Sequence, residues 1–134
     1  MSDSILPVGG ASPYEVVVGH DLLDRLPGIL GDSTERVAVL FGGDLGELAD
    51  RVVDALVEHY DVLALGLPIG ERAKTAAVAA DCWEALGEAG FTRSDAVVTI
   101  GGGASTDLGG FVAATWLRGV RVVHVPTTVL GMVD

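Results

Sequence analysis

From Val37 onward, short valine-rich apolar runs alternate with stretches of helical periodicity, and that alternation limits the possible folds more than any other feature. Val37–Phe41, Val62–Leu67, Ala96–Ile100 and Val120–Val125 have the length and composition of strands. Between them, Leu48–Tyr60 repeats Leu48, Val52, Val53, Leu56, Val57 and Tyr60 at helical spacing. Ala73–Ala89 carries a stripe of Ala76, Ala79, Ala80, Trp83 and Leu86, and Leu108–Leu117 spells a third helix. Strands joined by single helices at these lengths build a mostly parallel sheet with helices on both faces, a Rossmann-like α/β domain. Val62–Leu67 alternates little, which predicts a strand buried on both sides. Ahead of this region, Ile5–Val8 and Tyr14–Val18 flank Gly9–Pro13 as a leading hairpin. Asp21–Leu30 predicts a short helix weakened by Pro27, and Thr127–Asp134 opens another.

The 134 residues suit one domain, large enough to bury a core without disulfide or metal. A hydrophobic fraction of 49% with only 5% aromatics suits buried parallel strands and small-residue helices. Arg118, Arg121 and His124 interrupt the best candidate for a membrane span, and the amino terminus lacks a basic, then apolar, leader. A cytoplasmic protein is expected. Cys82 is the only cysteine, so no internal disulfide forms, and a packed thiol is its expected state. The net charge of −11 speaks against a nucleic-acid surface. Cations are scarce, and Lys74 is the only lysine, so their positions carry information.

Three turns follow predicted strands directly: Pro68–Lys74, Gly101–Asp107 and Pro126–Thr128. In a parallel sheet the carboxyl ends of the strands share one edge, where ligands bind, so the three segments should converge on one crevice. Glycines at Gly101–Gly103 let backbone N–H groups approach a phosphate at a helix start, although the same residues serve as a tight turn. The run is not the ordinary GxGxxG dinucleotide fingerprint. Asp107, expected in the first helical turn, either compensates the helix dipole or binds ribose hydroxyls. Lys74 either pairs with Glu71 or meets a phosphate. Thr127 and Thr128 serve as caps or as hydroxyl partners. Arg118 closes a helix or grips a phosphate. His20, His59 and His124 show no metal-ligand spacing, and a satisfied structural or surface role is expected for each.

The succession GExxK, GGGxxxDxxGFxAAxxxRG and VPTTxLxxVD closely resembles the amino-terminal half of the 3-dehydroquinate synthase family. Most of the chain shares the likeness, and residues 96–134 carry its most specific part. The resemblance implies a homodimer that binds NAD between an α/β domain and a helical domain holding zinc or cobalt. The family converts 3-deoxy-D-arabino-heptulosonate 7-phosphate to 3-dehydroquinate and phosphate. Carried over by position, Gly70, Glu71 and Lys74 match the first NAD loop. Gly102, Gly103, Ala104 and Asp107, with Ser105 and Thr106 between them, match the pyrophosphate and nicotinamide-ribose segment. Thr127 and Thr128 match further NAD contacts, Asp134 the cofactor–substrate junction, and Arg118 an arginine reaching the substrate phosphate across the dimer.

Two departures stand out. Phe41-Gly42-Gly43 occupies the place of a polar adenosine-ribose contact, with only Asp44 near, and Thr106 replaces a frequent glycine. The family's metal ligands and several catalytic lysines and arginines fall beyond the pattern of residues 1–134. The chain is therefore expected to be a NAD-binding domain without the helical metal domain, binding NAD and a sugar phosphate but inactive by itself. The alternatives are a non-catalytic binding or dimerisation module, and a piece of a related NAD-dependent polyol dehydrogenase.

Overall fold

The computed structural model describes residues 4–8, 14–18, 22–68, 75–116 and 120–126. Its centre is a six-stranded sheet of order β1-β2-β6-β5-β3-β4, where the strands are β1 (Ser4–Val8), β2 (Tyr14–Val18), β3 (Arg36–Gly42), β4 (Asp61–Leu67), β5 (Ala96–Gly101) and β6 (Arg121–Pro126). The leading hairpin forms as expected, with β1 antiparallel to β2 from Ser4↔Val18 to Val8↔Tyr14. Pro7 lies in the edge strand β1, the part of a sheet that tolerates proline. Every other neighbouring pair is parallel.

Residue alternation sorts the helices onto two faces. Helices α1 (Leu22–Leu30) and α2 (Gly46–Leu56) place Leu26, Leu30, Ala49, Val52 and Leu56 in one core with Val37 and Val39 of β3. Helices α3 (Ala76–Glu88) and α4 (Gly103–Thr115) place Ala79, Cys82, Leu86, Leu108, Val112 and Ala113 in the other, against Ala38 and Leu40. One short strand thus feeds both cores through its period of two.

Several details differ from the sequence expectation. β4 is an edge strand, and Asp61, Ala64 and Gly66 are exposed, so its unbroken apolar run is not buried on both faces. α2 stops at Leu56, four residues before Tyr60; the Tyr60 hydroxyl instead reaches the carbonyls of Pro27 (2.9 Å) and Gly31 (3.0 Å) and ties the end of α2 to α1. The buried stripe of α3 is Ala79, Cys82 and Leu86, whereas Ala76 and Ala80 are exposed. α4 begins at Gly103, five residues before Leu108. Pro27 does not interrupt α1, which ends where Gly31 takes a φ of 81°. Gly90, with φ 79°, ends α3 in the same way: Gly90 N–H donates to Gly87 O (3.1 Å) and Phe91 N–H to Leu86 O (3.0 Å), closing a Schellman turn.

Candidate functional site

The parallel strands finish level with one another. Gly42 is in register with Leu67, and Gly101 with Pro126, while Phe41 pairs with Ile100 one step earlier. The turns after β4, β5 and β6 therefore leave from one rim of the sheet, those of β5 and β6 from adjacent strands about 4.8 Å apart. β3 separates the β4 exit from the β5 exit. From β3 the chain passes through α2 to β4 on one side, and from β5 through α4 to β6 on the other. The strand order therefore reverses between β3 and β5, and a doubly wound sheet opens its ligand crevice at such a point. Gly70, Glu71, Lys74, Arg118, Thr127, Thr128 and Asp134 lie outside the described residues, as do His20 and the expected helix over 127–134.

Gly101–Asp107 is described and occupies the rim beside that crevice. Gly101 takes a φ of 150°, which L side chains rarely adopt, and turns the chain out of β5. Gly102 is the N-cap of α4 in extended conformation, and no side chain caps the helix. The first N–H groups of α4 have no intrahelical acceptor by construction, and the helix dipole adds positive character there. Thr106 N–H is already committed to Gly102 O at 3.1 Å. The Thr106 hydroxyl also turns back along the helix, to Gly103 O at 3.0 Å and Gly102 O at 3.3 Å. A pyrophosphate fits the remaining amide donors of the first turn.

With the helix beginning at Gly103, Asp107 falls in its second turn rather than the first. Capping and dipole compensation are thereby removed as explanations for this carboxylate. Asp107 is exposed and lines a pocket of about 300 Å³ with Thr75, Ala76, Ala79, Leu108 and Phe111. The pocket lies between the start of α3 and the second and third turns of α4. Thr75 accepts Val78 N–H at 3.1 Å and starts α3 directly after the segment containing Lys74. Asp44 sits in the 3-10 turn Gly43–Leu45 that follows β3, at the same rim.

Beneath α4 lies an organised pair to which sequence reasoning assigns no joint role. Thr99 of β5 and His124 of β6 are in register, both buried, and joined from Oγ1 to Nδ1 at 2.6 Å. Burial holds the His124 imidazole below its usual pKa, and the negative charge of Asp107 works in the opposite direction. Consecutive glycines inside a helix are the available signal, since they mark a close approach to something below. Among the described residues, no three His, Cys, Asp or Glu side chains gather to hold a metal ion. None of the described helices is long and apolar enough to cross a membrane.

Comparison with known proteins agrees with this geometry. Residues 64–134 match the family model described as 3-dehydroquinate synthase N-terminal. A 3-dehydroquinate synthase from Streptomyces coelicolor is 56% identical over 126 residues, covering 93% of this chain and 35% of that protein. The chain spans about a third of the length of the curated relatives it matches. Among solved structures, a 2-deoxy-scyllo-inosose synthase complexed with carbaglucose-6-phosphate, NAD+ and Co2+ superposes with a TM-score of 0.84 at 21% identity, covering 96% of this chain and 36% of the other. A 2-epi-5-epi-valiolone synthase from Streptomyces hygroscopicus subsp. jinggangensis, with NAD+ and Zn2+ bound, superposes with a TM-score of 0.69 at 28% identity, covering 90% and 34% respectively.

Proposed function

The chain belongs to the 3-dehydroquinate synthase family, and from that membership we propose that residues 1–134 form its NAD-binding part. The observation that carries this reading is the Gly101–Gly103 turn, which leaves β5 at the reversal of strand order and opens into the uncapped start of α4. Amide groups of Gly103, Ala104 and Ser105 bind the pyrophosphate. The Asp107 carboxylate accepts hydrogen bonds from ribose hydroxyls, and Thr127 and Thr128 supply further contacts. Lys74, the only lysine and next in sequence to Thr75, brings a cation to the nucleotide phosphates. Gly70 and Glu71 complete that loop.

Bound there, NAD would supply a reversible hydride acceptor for a hydroxyl of the substrate. The substrate of the family reading is 3-deoxy-D-arabino-heptulosonate 7-phosphate. Arg118 contacts its phosphate across a homodimer, and Asp134 sits between substrate and cofactor. Among the described residues no cluster of ligands gathers for zinc or cobalt, and the roles proposed for this chain are binding and orientation.

Calorimetric titration tests the nucleotide reading. NAD+ should bind the chain, and Lys74→Ala should weaken it about tenfold, roughly 1.4 kcal/mol. No heat signal and no rise in melting temperature at NAD+ concentrations on the order of millimolar would overturn it. A chimera addresses the reaction: residues 1–134 replace the matching segment of the Streptomyces coelicolor synthase. Restored phosphate release is expected, and a chimera that binds NAD+ without releasing phosphate would confine the chain to nucleotide binding.

A further inference from the structure

We infer that His124 is a positioning residue for the Asp107 carboxylate, an inference that rests on the nucleotide-binding reading of α4. His124 lies two residues before the end of β6, near the rim, and is only 8% exposed. Its orientation is fixed from one side, because Nδ1 is tied to Thr99 Oγ1 at 2.6 Å. That bond turns the Cε1–Nε2 edge towards α4, where both atoms would lie 3.8 Å from a β-carbon on Gly110. Asp107 is three residues before Gly110, the spacing that puts two helix positions on neighbouring turns of one side. Helical side chains also lean towards the amino terminus, over the turn that precedes them.

Gly109 permits this approach, while a β-carbon at Gly110 would make ordinary contact with the imidazole. A β-carbon at Gly109 would collide with the Thr99 methyl, so α4 sits directly on Thr99, the residue that holds the imidazole. The Asp107 charge acts on the imidazole through this thin layer. On the side of β6 opposite β5, the β2 backbone brings Val16 into register with His124. When the Thr99 hydroxyl donates to Nδ1, the imidazole proton resides on Nε2, on the edge facing α4. A buried, pre-oriented imidazole then gives the exposed carboxylate a fixed electrostatic partner. Asp107 meets ribose hydroxyls with less ordering left to do.

The test is a double-mutant cycle on NAD+ affinity with His124→Leu and Asp107→Asn, each variant also followed by thermal unfolding. His124→Leu should weaken NAD+ about fivefold when Asp107 is present and add nothing once Asp107→Asn is already in place. His124→Gln, which keeps a polar atom for Thr99 and another for α4, should recover most of the loss. Equal dissociation constants for wild type and His124→Leu would overturn the inference while leaving the nucleotide reading intact, as would losses that simply multiply. A wild-type chain that fails to bind NAD+ removes both. If His124→Leu does not fold, carboxyl-carbon NMR of Asp107 decides without ligand. The wild-type resonance should follow imidazole titration, that inflection should vanish in His124→Gln, and its absence from wild type would overturn the assignment.

Discussion

Gly109 of α4 rests on Thr99 of β5 so closely that a β-carbon at position 109 would run into the Thr99 methyl. Thr99 is fully buried and its hydroxyl is held by His124 at 2.6 Å, so the side chain cannot swing aside without losing that bond. Gly109→Ala should therefore destabilise the chain by about 1–3 kcal/mol, the range for overpacking a tight interior. Thr99→Ser removes the methyl and keeps the hydroxyl, so Gly109→Ala should cost much less in that background. Urea midpoints of the two singles and the double provide the measurement, and equal costs in both backgrounds would refute the steric account.

Asp95 ties two chain segments together at the opposite end of the sheet. Its Oδ1 accepts Arg36 N–H (2.8 Å) and Glu35 N–H (3.2 Å), while Oδ2 accepts Thr92 N–H (2.8 Å) and the Thr92 hydroxyl (3.2 Å). Burial alone would raise this carboxyl's pKa, but the donors from Thr92, Arg36 and Glu35 outweigh it and the net shift is downward. A folded value below the unfolded one means the stabilisation is complete above about pH 4 and drains away as the pH falls through the folded value. Asp95→Asn should cost about 2–3 kcal/mol at neutral pH. The difference between wild-type and variant urea midpoints should narrow steadily as pH drops below about 4, and a gap independent of pH would contradict the assignment.

Much of the fold is legible in the sequence because the strands announce themselves. The valine runs of β3, β5 and β6 and the hairpin of β1 and β2 lie where their composition places them. Strand order is a different kind of fact. Nothing local in Asp61–Leu67 distinguishes an edge from a centre, so the exposure of Ala64 and Gly66 cannot be read from their neighbours. The start of α4 is hidden for the opposite reason. Gly103, Ser105 and Thr106 are weak helix formers by propensity, and packing by Leu108, Val112 and Ala113 overrides them. That override moves Asp107 into the second turn and changes what its carboxylate can be for. The role of His124 is not local either, because its partners come from separate elements, Thr99 on β5 and Asp107 on α4.

Cys82 sits on the buried face of α3, and burial, with a smaller push from Asp81, raises its thiol to about 11. A thiolate that scarce at neutral pH reacts slowly. Iodoacetamide labelling of the folded chain should be slow at pH 8 and should keep accelerating towards pH 11, with no plateau near the ordinary cysteine value of about 8.5. Urea should release fast labelling. Rapid modification of the folded chain at neutral pH would show that the thiol is neither buried nor raised.

Gly101 and Gly103 stand two residues apart in one turn, yet they answer to different demands. Gly101 needs glycine for the backbone itself, since its φ of 150° strains any L side chain. Gly101→Ala should lower stability by about 1–3 kcal/mol. Gly103 is the first residue of α4, and a β-carbon there meets nothing within 4 Å. Alanine also favours the helix over glycine, so Gly103→Ala should fold as well as wild type or better. Its added methyl instead stands at the helix start, where a pyrophosphate must come close to the amides. NAD+ affinity should fall about tenfold, roughly 1.4 kcal/mol, with the melting temperature unchanged or raised. If Gly103→Ala leaves NAD+ binding untouched, the open space at that glycine is an ordinary helix start and the pyrophosphate lies elsewhere along the rim.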